Sequence, residues 1–166
     1  MRSSVRKPSL PKLALAAVAA LFVVAPAATA TTEERQTYAE GVEPICKANS
    51  EANSRILKGV KGQVQRGELK PAGRRFVRAS TALGKAVVQI GQVPRPATYE
   101  TKLSKWIGYL RQEKTYLQQI GQALKAEDKF KAQKLAVKLN NNNNRANNTV
   151  IEFPFKECRI DSSRFI

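Results

Sequence analysis

The chain has 166 residues, with 29 Lys+Arg against 13 Asp+Glu for a formal net charge of +16, and it contains no histidine. The missing imidazole excludes a His-based catalytic triad, a His-ligated zinc or haem and a Glu-x-x-His di-iron bundle. Cysteine is as sparse, with Cys46 and Cys158 the only two.

The opening reads MRSSVRKPSLPKLALAAVAALFVVAPAATA. Arg2, Arg6, Lys7 and Lys12 precede an apolar run over residues 13–26, and Ala28-Thr29-Ala30 offers small residues at the cleavage positions. This is the three-part layout of a secretory signal peptide over residues 1–30. The competing reading, an uncleaved anchor, is disfavoured because the run is too short to span a bilayer comfortably. No Arg-Arg pair in the leader suits a twin-arginine route, and no cysteine follows the cleavage site to carry a lipid. The expected mature chain is residues 31–166. Removing the four leader cations from 29 leaves 25 Lys+Arg against 13 Asp+Glu, or +12. By length it is one domain, with no second apolar span, and its expected location is secreted or extracytoplasmic at the cell envelope.

A short N-terminal segment, residues 31–41, comes first, and Gly41 and Pro44 suggest a break after it. The first long helical stretch covers residues 42–66, where Ile45, Asn49, Ala52, Ile56 and Val60 recur at three- and four-residue steps before Gly67. The second covers residues 71–91: Phe76, Ala79, Leu83, Ala86 and Ile90 form one apolar seam. Pro94 and Pro96 then disfavour helix. The third covers residues 99–126, with Leu103, Leu110, Leu117 and Leu124 seven apart and Trp106, Glu113 and Ile120 between them. Glu113 is either a buried acid or a seam-edge residue paired with a neighbouring Lys or Arg. The second reading is the expected one, since Glu is almost never fully buried unpaired.

The fourth stretch covers residues 128–153, where Ala132, Leu135, Leu139, Asn142, Ala146, Thr149 and Phe153 keep the alternating step before Pro154. The asparagine-rich KLNNNNNRANN, residues 138–148, therefore lies inside a helix and not in a disordered tract. Asparagine is a poor helix former, so tertiary interactions must offset its local cost.

Four long helices with short connections predict an all-α, antiparallel up-down-up-down bundle over residues 42–158, followed by a tail at 159–166. That topology puts the start of the first helix and the end of the fourth at one end, so Cys46 and Cys158 meet there. A disulfide is the expected pairing for a lone cysteine pair in an exported protein; a reactive thiol and a metal ligand are the weaker readings. The register also places Asn49 and Asn53 opposite Asn142, Asn143 and Asn147, which predicts a structural amide ladder across the first–fourth helix seam. Asn140, Asn141, Asn144 and Asn148 are expected to face solvent. Glycines 59, 62, 84, 108 and 121 inside predicted helices point to close helix packing, or to a small-ligand crevice. The turns GQVQRGELKPA and GQALKAEDKFKA, at residues 62–72 and 121–132, look alike.

Charge segregates in this topology. The turn end gathers Lys58, Lys61, Arg66, Lys125 and Lys131, together with the expected anion-binding set Lys70, Arg74, Arg75, Arg78, Lys129, Lys134 and Lys138. Only Glu68, Glu127 and Asp128 oppose them there, while Glu33, Glu34, Glu40, Glu43, Glu51, Glu152, Glu157 and Asp161 belong to the other end. A basic pole can attract an anionic polymer or an acidic membrane surface; the plainer role of such a face is solubility. Sequence-specific nucleic-acid reading is not expected, because no aromatic-basic motif of the usual modules is present.

EPICKAN (residues 43–49), WIGYL (106–110) and ANNTVIEFPFKEC (146–158) together resemble small exported helical proteins of actinobacteria that carry no assigned activity. The resemblance implies the disulfide and export, and it transfers no catalytic residue. The expectation is an exported, non-enzymatic bundle without cofactor or metal, binding an anionic partner through its basic pole. The alternative is a small-molecule-binding bundle that uses its inter-helix interior.

Overall fold

The computed structural model describes residues 32–160. The expected leader, Asp161 and the rest of the tail lie outside the described residues. Five α-helices follow in order: α1 Thr32–Leu57, α2 Val60–Gln65, α3 Leu69–Gln92, α4 Glu100–Lys125 and α5 Lys129–Thr149. A 3-10 turn, Ala97–Tyr99, introduces α4. The first arm of the bundle is α1 with α2; α3, α4 and α5 are the other three, packed antiparallel in sequence order. The fold is thus the expected all-α four-helix bundle, closed by a Cys46–Cys158 disulfide with Cα atoms 5.0 Å apart across 112 residues of chain.

The apolar seams read from the sequence are the core. Phe76, Ala79, Leu83, Ala86 and Ile90 of α3 are buried against Leu103, Trp106, Leu110, Leu117, Ile120 and Leu124 of α4. The two helices cross most closely at Gly73 and Gly121. A Cβ on Gly73 would stand 2.5 Å from the Gly121 carbonyl oxygen, and one on Gly121 2.7 Å from that of Gly73. Close packing is therefore what Gly121 provides.

The first arm differs from expectation at both ends. Among the described residues the expected segment at 31–41 is not separate, since α1 runs unbroken from Thr32 through Gly41 and Pro44. Proline removes only one donor, and burial of Tyr38, Ala39 and Val42 on the same face holds the turn together. Gly41 serves a close approach instead, because a Cβ there would lie 3.0 Å from Val93 Cγ1. The true break falls at Gly59, whose φ of 78° is left-handed and favours glycine. It separates α2 from α1.

The two turns of the basic pole share one geometry. Gly67 donates to Val64 O and Glu68 to Gln63 O; Glu127 donates to Leu124 O and Asp128 to Ala123 O. Each is a Schellman closure with one left-handed residue, Gly67 in the first and Glu127, at φ 60°, in the second. Lys70 reaches across to Glu127 at 3.3 Å, so both turns occupy the same end.

The last helix stops a turn before Pro154. Residues 150–160 leave α5 and fold back over the disulfide end. Phe155 stacks on Trp106 with ring centroids 5.2 Å apart, and Phe153 lies edge-on to Tyr99 at 5.1 Å and to Tyr38 at 5.9 Å. Burial raises the Tyr38 phenol to about 12, which leaves it a neutral packing surface. The Glu43 carboxylate fastens the segment by accepting from the backbone N–H groups of Lys156, Glu157 and Cys158 at 2.9–3.1 Å.

Candidate anion-binding site

The basic pole begins with α3. Leu69 and Pro71 open that helix in the first turn, where the missing proline N–H costs nothing. Arg74, Arg75 and Arg78 then follow at spacings that put Arg74 and Arg78 one turn apart. They line, with Gln63 of α2 and Lys125 of α4, an open groove of about 450 Å³. No acidic residue lines it. Arg75 is partly committed: its guanidinium donates to the Lys58 carbonyl, satisfying the frayed end of α1 where Gly59 breaks the helix. Among the described residues no carboxylate pairs with Arg74, Arg78 or Lys125. Guanidinium groups so placed present forked N–H donors to a phosphate or carboxylate.

The seven expected anion-binding residues do not form one patch. Arg74, Arg75 and Arg78 share the groove on α3, joined by Lys125, which the sequence places at the pole but not in the set. Lys70 is paired with Glu127. Lys129 lines a different groove, between α2 and α5. Lys134 lies over the Phe130 ring, 4.2 Å from its centroid. Lys138 faces the α4–α5 seam with Lys105 and Arg145. Helical phase separates them: the α3 arginines and the α5 lysines project from different sides of the bundle end.

The amide ladder takes another form. Because residues 150–160 stand between α1 and α5, the two helices do not meet along an extended seam. Asn147 instead pairs with the segment itself, donating to Ile160 O and accepting from Ile160 N, both at 2.9 Å. Asn142 donates to the Tyr109 carbonyl of α4 at 3.0 Å and to Asn143 Oδ1 at 3.4 Å. Asn53 donates to Asn49 Oδ1 within α1 at 3.3 Å. Asn53, Asn142 and Asn143 are buried, whereas Asn140, Asn141, Asn144 and Asn148 are exposed.

Glu113 is not the paired seam-edge residue expected. It is buried, its Oε2 meets no hydrogen-bond partner, and no ion pair reaches it. It lines a cavity of about 80 Å³ with Asn53, Leu83 and Leu110, and Lys156 and Arg159 line the same cavity. Asn53 Oδ1, also without a partner, lies in the same wall. Burial pushes the Glu113 carboxyl up to about 8.

Among the described residues, no helix is long and apolar enough to cross a membrane, and no group of three or more His, Cys, Asp or Glu could hold a metal ion. No protein-family model matches the chain, and no curated protein or solved structure shows significant similarity to it.

Proposed function

We propose that this is an exported, non-enzymatic binding protein that engages an anionic polymer or acidic surface outside the cytoplasm through its basic pole. One observation carries the reading: Arg74, Arg78 and Lys125 line a single groove with no carboxylate beside them. Cations that merely solubilise a surface are ordinarily interspersed with acids, as Arg66–Glu68 and Lys70–Glu127 are here. Export is supported by the leader-like residues 1–30 and by the disulfide, which suits an oxidising compartment. The resemblance to exported actinobacterial helical proteins supports the same placement.

The test is binding of the oxidised protein to teichoic acid, acidic vesicles and DNA across a salt series. Binding is expected to weaken linearly in log–log form as counterions are released. The triple variant Arg74→Glu, Arg78→Glu, Lys125→Glu is expected to abolish it. Equal binding by the triple variant, or none by either protein at physiological salt, refutes the assignment.

A further inference from the structure

The seam between the first arm and α5 is covered at only one end. At the disulfide end the chain's own residues 150–160 fill it, with Phe153 and Phe155 buried. At the turn end, Gly59 redirects α2, and no described segment lies over the space between α2 and α5. The result is an open groove of about 330 Å³ on a different side of the pole from the arginine groove. Phe76, Ile120 and Leu124 form its floor, and Val64 and Ala136 stand in its two walls. The remaining polar lining is Lys61, Gln65, Lys129 and Gln133, with no acidic residue. Elsewhere on α5, Phe130 and Val137 are 66% and 62% exposed.

We propose that this groove binds one medium-chain fatty acid, with its alkyl chain along Phe76, Ile120 and Leu124 and its carboxylate between Lys61 and Lys129. The volume sits at the lower end of the roughly 300–1,000 Å³ typical of small-molecule pockets. A volume of this size suits one alkyl chain. An apolar floor offers nothing to a polyanion, and two lysines select an anionic head over a neutral or cationic one. The inference does not rest on the arginine groove, and either site can exist without the other.

The experiment is titration of the full oxidised chain with monomeric octanoate, decanoate and dodecanoate, and with dodecyltrimethylammonium as the cationic counterpart. Saturable one-to-one binding is expected, strengthening roughly fourfold per added methylene. The cationic amphiphile is expected to bind at least about tenfold more weakly than dodecanoate. Lys61→Glu with Lys129→Glu, both at exposed positions, should erase that preference. Gln133→Trp, also exposed, should obstruct the mouth and weaken both ligands. Arg74→Glu with Arg78→Glu should leave dodecanoate binding unchanged. Four results overturn the proposal: no saturable binding, binding indifferent to both groove variants, equal affinity for the two head groups, or binding to anionic phospholipid vesicles without binding to monomeric fatty acid.

Discussion

Glu113 shows how one residue can set a pH dependence for the whole fold. Its carboxyl makes no ion pair among the described residues, so burial raises it from an ordinary 4.5 to about 8. The folded state therefore holds a proton that the unfolded state has already lost, and this site favours folding less as pH rises through that window. Its contribution is full below the ordinary value and falls by about 1.4 kcal/mol per pH unit from there up to about 8, above which it is gone. Glu113→Gln keeps the shape and removes the titration. Urea denaturation at pH 5, 6, 7 and 8 should show the stability difference, wild type minus variant, falling steadily with pH; a constant difference contradicts a buried neutral acid. The asparagines make a second case. Asn147 holds Ile160 and Asn49 holds Asn53, so the effects of Asn49→Ala and Asn147→Ala should add within about 0.5 kcal/mol. Coupling beyond that would restore the ladder. The need for amides inside these helices was legible in the sequence. Their partners were not, because the periodic pattern gives the face of a residue and says nothing of a returning tail.

Helix α3 and helix α4 were legible almost residue by residue, since their seams are long and each seam position is buried. The ends of α1 and α5 were not. Gly41 and Pro44 resemble breakers, yet the packing of Tyr38 and Val42 outweighs them; Phe153 keeps the helical phase but turns out of the helix to meet an aromatic cluster. Gly59 was the missed signal, and with it the α2–α5 groove. The turns invite two measurements. Glu127 adopts the left-handed conformation that Gly67 supplies in the matching turn. Glu127→Gly should raise stability by about 0.5–1 kcal/mol, net of the exposed Lys70 pair, which is worth little. Gly73→Ala should do the reverse. Alanine is the better helix former by about 1 kcal/mol, but its methyl would press on the Gly121 carbonyl, a backbone atom that cannot step aside. A net loss of about 1–3 kcal/mol is expected by chemical denaturation.

At the scale of the molecule, charge and closure divide between the two ends. One end carries the lysine- and arginine-lined grooves; the other carries the disulfide, the aromatic cluster and the Glu43 clasp. The division of charge was legible because it needs only topology, whereas the separation of the pole into distinct grooves depends on helical rotation and on the break at Gly59. Reduction of Cys46–Cys158 frees a long loop in the unfolded chain and should lower stability by about 4–5 kcal/mol in the chain-entropy model, measured as the urea midpoint with and without dithiothreitol. The position of Phe153, Phe155 and Cys158 in the chain has a further consequence for biosynthesis. Trp106 and Tyr38 are made before the rings that cover them and before Cys158, the thiol that locks the end. A nascent polypeptide that has not yet presented residues 153–158 is therefore unable to complete its hydrophobic centre. It reaches the native state only once those residues are available, when contacts more than a hundred residues apart can close.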